Sequence, residues 1–404
     1  MHTRKGIGGS NPSLSATTFL AAGVIQWQNR SFPSFLRGFD SHRPLHPNRR
    51  RIWYNPAPMG YSDISLGLSI AFMVVGLVAL VWSSDVFVAG SSVLAKALGI
   101  SPFIIGMVII GFGTSAPELC VSVMSGLSGH ADLSLGNAYG SCSFNIAVIL
   151  GVSALILPLV TKPAISFVAG PGLAAITLFS LWLLRDGTCS RVEAGILLVA
   201  FAVLLPLYCW FDQKTNGASA APETGAADAA DGTARGRKLL KAFVQVVVGL
   251  LVLVGSSHIL VWGAVDFAKF AGVSDLVIGL TIIAAGTSLP ELASAIASAR
   301  RGEHEFVLGN IIGSNLFNTL AVVGIATFLS PFKATADGSP AFSPYILTRD
   351  LPVMAVLSLS IFAFGINWRR PTQTGRITRW EGVLWILSFV AYSVLMFLQE
   401  TGRG

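Results

Sequence analysis

Two short stretches concentrate the side chains able to do chemistry: Gly113-Thr114-Ser115-Ala116-Pro117-Glu118 and Gly286-Thr287-Ser288-Leu289-Pro290-Glu291. Each sets one carboxylate in an apolar run long enough to cross a bilayer. An acid there costs about 3 kcal/mol on insertion scales, and such acids usually mark function. Proline lacks an N–H and frees the carbonyl four residues back, here Gly113 or Gly286. Those carbonyls, the hydroxyls of Thr114, Ser115, Thr287 and Ser288, and the carboxylates of Glu118 and Glu291 are hard oxygen donors, the kind that Ca²⁺ and Na⁺ prefer. The break also opens a new half-helix at Pro117 and at Pro290, whose positive end favours an ionised Glu. A protonated Glu bonded to a neighbouring helix is the bland alternative. Two Glu at matching places, each after a proline break, argue against it. The hydroxyls have a second use that is compatible with the first, satisfying backbone freed by the prolines.

Two more stretches carry polar stripes. Asn137, Ser141 and Asn145 recur every fourth residue, as do Asn310, Ser314 and Asn318. That spacing puts each trio on one helix face, which should meet protein or a wet cavity rather than lipid. Asn137 and Asn310 read as interhelical hydrogen-bond ties, with Gly136, Gly140, Gly309 and Gly313 permitting close packing. Ser141 and Ser314 read as further oxygen ligands, and Asn145 and Asn318 as lining of the site.

The elements that must hold these groups are membrane helices. Of 404 residues, 53% are hydrophobic and 12% charged, the profile of a polytopic membrane protein. Apolar segments fall near 64–98, 101–128, 133–157, 164–184 and 192–210, then near 239–270, 275–299, 306–329, 346–366 and 380–398. Between the two sets, residues 211–238 read as a flexible linker rich in Ala, Gly, Thr and acids. Adding 173 to the numbering aligns Ser83–Gly151 on Ser256–Gly324 without a gap, and 28 of those 69 positions are identical. The chain is therefore expected to be an all-α membrane protein of two five-helix repeats, residues 59–210 and 239–404. An odd number of spans inverts the second copy, giving ten transmembrane helices with broken helices at the midplane. Inverted repeats with interrupted helices at matching places mark secondary transporters. With the first span starting outside, inner loops carry 13 Lys and Arg against 6 in the outer ones, which puts the linker in the cytoplasm and the C-terminus outside.

Residues 1–58 stand apart, with eight Lys and Arg and one acid, Asp40. They account for the whole net charge of +7, so the basic balance gives no reason to expect a nucleic-acid partner. This segment is read as a disordered extension or a start assigned upstream of Met59; its apolar stretch Ser13–Trp27 is too short to span. Cys120, Cys142, Cys189 and Cys209 form no CxxC pair and read as small buried hydrophobes. Asp85 aligns with His258 and reads as a loop or helix-end polar group, Asp266 pairs with Lys269 at i, i+3, and Glu303-His304-Glu305 reads as a solvated loop. No P-loop, Rossmann glycine pattern or HExxH is present, so neither ATP nor a cofactor is implied. A hydrolase built on Ser115 or Ser288 would lack a His or Lys base in the motif segments, and the chain is not expected to be an enzyme.

GTSAPE with GNAYGSCSFN, followed by GTSLPE with GNIIGSNLFN, resembles the two alpha repeats of the calcium/cation antiporter superfamily, the sodium/calcium exchangers, and in particular bacterial inner-membrane calcium/sodium antiporters. The likeness covers roughly Ile64–Ser330, and the last two spans by topology only. It implies exchange of Ca²⁺ against Na⁺ by alternating access, with lipid and the two ions as the only partners and no obligate protein partner. Carried over by position, Glu118 and Glu291 would be the central acidic ligands, Thr114, Ser115, Thr287 and Ser288 would add oxygens, Ser141 and Ser314 would stand beside them, and Asn145 and Asn318 would line the middle. Potassium-dependent members carry Asp in place of Asn318. A Ca²⁺/H⁺ exchanger using the same Glu pair is the first alternative and a cation channel the second.

Overall fold

A computed structural model describes residues 66–216, 232–271, 284–334 and 338–400. The N-terminal extension 1–58 lies outside them, as do most of the linker and residues 275–283 of the expected seventh span. Helix α1 is Leu66–Leu98, α2 Pro102–Thr114, α3 Ala116–Leu127 and α4 Ala131–Ile156. They are followed by α5 Pro163–Leu183, α6 Arg191–Asn216 and α7 Gly232–Phe270. The second half continues with α8 Ala284–Thr287, α9 Leu289–Arg300, α10 His304–Leu329, α11 Ile346–Gly365 and α12 Arg379–Glu400. Eight of the described helices are long and apolar enough to cross a membrane, and α2 with α3, bent by 45°, make a ninth. Helices α6 and α7 run further into the expected linker than composition suggested, to Asn216 and from Gly232.

The layering follows from where polar side chains have to go. In α10, 83% of the most apolar window is buried and in α4 67%, against 11% in α12 and 22% in α1. The two helices with Asn/Ser stripes therefore form the centre, and helices with unbroken apolar surfaces face outward, where Val74, Val78, Leu251, Val390 and similar side chains are exposed. The centre is drawn tight by glycine: a Cβ at Gly309 would stand 2.3 Å from Phe103 O, and one at Gly313 2.2 Å from Met107 O. Only glycine lets α10 lie directly on α2. At Gly136 and Gly140 no described atom comes within 4 Å of such a Cβ. Helices α1 and α7 run side by side, at 33 and 39 residues. The first alone is about 50 Å long at 1.5 Å per residue, so it must tilt in a 30 Å hydrocarbon layer.

One element departs from an all-α expectation. Leu159–Thr161 (β1) and Gly375–Ile377 (β2) pair antiparallel, Leu159 opposite Ile377 and Thr161 opposite Gly375. An isolated bridge joins Cys189 to Phe332. These segments lie just past helix ends, where backbone groups need partners and have no helix to supply them. Three residues are too few to give a readable alternating pattern.

Candidate functional site

The breaks expected at the two prolines occur at equivalent residues. Ser115 has φ −84°, ψ 9° and Ser288 φ −91°, ψ 9°, too open in ψ to continue a helix. Chain direction changes by 45° at the first break, α3 and α9 start one residue before their prolines, and Glu118 and Glu291 fall in the first turns. Each carboxylate thus sits at the positive end of a twelve-residue half-helix. Both are fully buried. No salt bridge among the described residues reaches either one.

Their partners cross between the halves. Ser115 Oγ donates to Glu291 Oε1 at 2.8 Å, and Ser288 Oγ donates to Glu118 Oε1 at 3.0 Å. Each break thereby supplies the hydroxyl that the other half's acid accepts. Ser141 Oγ stands 3.3 Å from Ser288 Oγ. Thr114 Oγ1 donates to Ile110 O at 2.9 Å, within its own helix, and Ser314 Oγ donates to Gly111 O at 3.1 Å. Neither carbonyl is one the prolines free. Thr287 closes α8 just before its break and is half-buried.

Asn137 and Asn310 act as the expected ties. Asn137 Nδ2 donates to Glu118 O at 3.0 Å and to Ser122 Oγ at 2.8 Å. Asn310 Nδ2 donates to Glu291 O at 3.4 Å and to Ser294 Oγ at 3.1 Å. Both hold the backbone of an acid-bearing turn. Ser122 and Ser294 were missed in the sequence because the repeat pairs Ser122 with Ala295 and Ser294 with Val121. Helical geometry brings i+4 in one half and i+3 in the other to the same spot.

The deeper pair, Asn145 and Asn318, lies where α4 and α10 widen into π-helical turns, Asn145–Leu150 and Phe317–Val322. Such bulges occur often at functional sites. Asn145 Nδ2 donates to Asn315 Oδ1 at 3.1 Å. Asn315, also missed in the sequence, is matched in the repeat by Cys142. The oxygens left over are the informative ones: Glu118 Oε2, Glu291 Oε2, Asn145 Oδ1 and Asn318 Oδ1 are buried with no hydrogen-bond partner among the described residues. A buried acceptor without a donor costs about 1–3 kcal/mol, and more when charged. Oxygens in that condition can be satisfied by a dehydrated cation or by water.

Other expectations divide. Cys142 and Cys189 are buried and Cys209 half-buried, but Cys120 is exposed on the outer face of α3. Glu303 and Glu305 are half-buried rather than solvated: Ser92 Oγ donates to Glu303 at 3.0 Å, and Lys162 Nζ stands 2.6 Å from Glu305. Glu303 precedes α10 and Glu305 lies in its first turn, so both acids are held against neighbouring elements. Asp85 lies inside α1 rather than in a loop or at a helix end, and Arg301 donates to its backbone carbonyl at 3.2 Å.

Comparison with known proteins agrees with this architecture. The family model described as sodium/calcium exchanger protein matches residues 68–210 and 241–398. Inner membrane protein YrbG of Escherichia coli is 34% identical over 82% of this chain and 97% of its own length. Sodium/calcium exchanger MaX1 of Methanosarcina acetivorans is 30% identical over 82% of this chain and 99% of its own. The solved structure of the sodium-calcium exchanger NCX_Mj soaked with Na⁺ and Sr²⁺ superposes with a TM-score of 0.66 at 27% identity, over 81% of this chain and 97% of that one. With its two matched blocks falling on the two halves that carry the proline-broken acidic helices, the chain belongs to the sodium/calcium exchanger protein family, whose members are membrane transporters.

Proposed function

We propose that this protein exchanges Ca²⁺ for Na⁺ across the bacterial inner membrane by alternating access, with Glu118 and Glu291 at the centre of the ion site. The observation that carries the reading is the crossed arrangement: Ser115 on Glu291 and Ser288 on Glu118, with one oxygen of each Glu and those of Asn145 and Asn318 left without donors. Two ionised Glu give the site a charge of −2, which one Ca²⁺ neutralises. Sodium ions would use the same oxygens, so the two cations exclude each other, and that exclusion couples their movements. Thr114, Thr287, Ser141 and Ser314 complete the proposed oxygen set. The carbonyls of Gly113 and Gly286 belong to it too, since Pro117 and Pro290 leave both without their helical donor.

The topology that goes with this function has ten spans in two inverted repeats, α8 with α9 completing the tenth. The linker would be cytoplasmic and the C-terminus outside, as loop charge favours. The relatives' names support Na⁺ as counter-ion and the inner membrane as location. The test is radiolabelled Ca²⁺ uptake into proteoliposomes. Uptake driven by an outward Na⁺ gradient supports the proposal. Uptake driven only by a proton gradient would make the protein a Ca²⁺/H⁺ exchanger, and uptake needing no counter-ion would make it a channel.

A further inference from the structure

The two halves match at Asn145 and Asn318 but not at the residues beside them, where Asn315 stands opposite Cys142. That difference has a directional consequence. Asn315 Nδ2 donates to Cys142 O at 3.3 Å. A backbone carbonyl only accepts, so the amide of Asn315 has one possible orientation, with Oδ1 turned the other way. Oδ1 in turn takes Asn145 Nδ2 at 3.1 Å. A carboxamide whose nitrogen is committed presents its oxygen elsewhere, and Asn145 Oδ1 is the buried atom left without a donor. The chain of bonds from Cys142 O through Asn315 therefore fixes which end of Asn145 is free.

Asn318 has no such relay. By the repeat, the place that Asn315 holds against Asn145 falls, against Asn318, to Cys142 of the first half, whose Sγ lies 3.8 Å from Asn315 O and 3.6 Å from Thr319 Oγ1. A thiol sulfur is only a weak acceptor, and the amide nitrogen of Asn318 does not bond to it. Consistently, both Oδ1 and Nδ2 of Asn318 are buried without partners among the described residues.

We infer that Asn315 is the positioning residue of the ion site, holding Asn145 with its oxygen available to a cation, and that Cys142 leaves Asn318 free to turn. The site thus offers one fixed and one adjustable carboxamide oxygen. This rests on the proposed ion site at Glu118 and Glu291. A fixed oxygen is preorganised for a cation, whereas an adjustable amide can meet ions of different size and charge or turn its N–H₂ inward when no ion is bound.

The experiment is equilibrium binding of radiolabelled Ca²⁺ to the purified full chain, with Na⁺ as competitor, in a double-mutant cycle. Asn315→Leu keeps the volume near that of Asn and removes the relay. It should weaken Ca²⁺ binding about tenfold, one hydrogen bond's worth of orientation. In an Asn145→Asp background the two oxygens are equivalent and need no orienting, so Asn315→Leu should then cost less than about twofold, or tighten binding, since Asn315 Oδ1 would otherwise face a carboxylate. Equal losses in both backgrounds would show a merely structural role and overturn the inference, as would no loss in the parent. If Asn315→Leu does not fold, Cys142→Asn tests the same logic in the opposite direction. It supplies the missing relay, and Ca²⁺ binding should tighten about threefold as Asn318 is pinned; unchanged or weaker binding overturns the inference. Failure of the underlying site is separately visible: the parent would bind no Na⁺-displaceable Ca²⁺, or would keep it after Glu118→Gln.

Discussion

Replacing Glu118 with Gln tests the central charge with little change of shape. Gln retains an oxygen able to accept from Ser288 Oγ, now 3.0 Å from Glu118 Oε1, and the side chain remains in a fully buried position. What disappears is one of two charges. A carboxylate oxygen about 2.4 Å from Ca²⁺ contributes roughly 14 kcal/mol of gross Coulomb attraction at an effective dielectric constant near 20, and about half that for Na⁺. Desolvation offsets most of this, and truncating one member of a buried charged contact costs about 2–5 kcal/mol net. The midpoint, about 3.5 kcal/mol, is a loss of a few hundredfold in Ca²⁺ affinity, with the Na⁺ loss smaller by the ratio of the charges. Stability should move the other way when no ion is present. A buried carboxylate whose Oε2 has no partner destabilises the ion-free protein, and Gln relieves that. Glu118→Gln should therefore melt at or above the parent in ion-free detergent, lose the upward shift that Ca²⁺ gives the parent, and transport nothing measurable in proteoliposomes. Near-normal Ca²⁺ uptake by well-folded protein would refute the reasoning. So would a drop in ion-free melting temperature, because it would mean that the carboxylate serves the fold.

The crossed pairs predict symmetry: Ser115→Ala and Ser288→Ala each remove a donor to a charged oxygen, worth about 1.5–3 kcal/mol, so each should weaken Ca²⁺ binding by roughly ten- to a hundredfold, and a large effect from only one would contradict the arrangement. Gly313→Val should prevent stable folding, since even its Cβ would meet Met107 O at 2.2 Å, and normal monodisperse protein on size exclusion would contradict the packing of α10 on α2. Asn318→Asp brings a third carboxylate to the centre, and Ca²⁺ exchange should become responsive to K⁺ with the membrane potential clamped. A variant indifferent to K⁺ from about pH 6 to pH 9 would contradict it.

Duplication made the centre of this protein legible. Glu118 and Glu291, the two proline breaks and the Asn/Ser stripes announce themselves because each occurs twice at one offset, and a polar group that recurs in an apolar segment is hard to read as accident. The lengths of α1 and α7 and the central burial of α4 and α10 follow from the same apolar runs. Whatever breaks the repeat was invisible for the same reason. Ser122 and Ser294 sit one place apart in the alignment yet serve the same bond. Asn315 has a cysteine as its counterpart and so looked like ordinary drift. The strands β1 and β2 are too short to show alternation, and Glu303 and Glu305 gain partners from Ser92 and Lys162, more than a hundred residues away in sequence.

Repeat logic and contact logic therefore give different things. The repeat gives each half its own Glu and its own Ser, and from sequence alone each Ser would be assigned to the Glu three residues after it. The bonds run otherwise: Ser115 serves Glu291 and Ser288 serves Glu118. Neither half can satisfy its acid alone, so the halves are tied at the charge itself. A shift of one half against the other must break or exchange these bonds together, because both serines lie at the same kind of break and both acids head the same kind of half-helix.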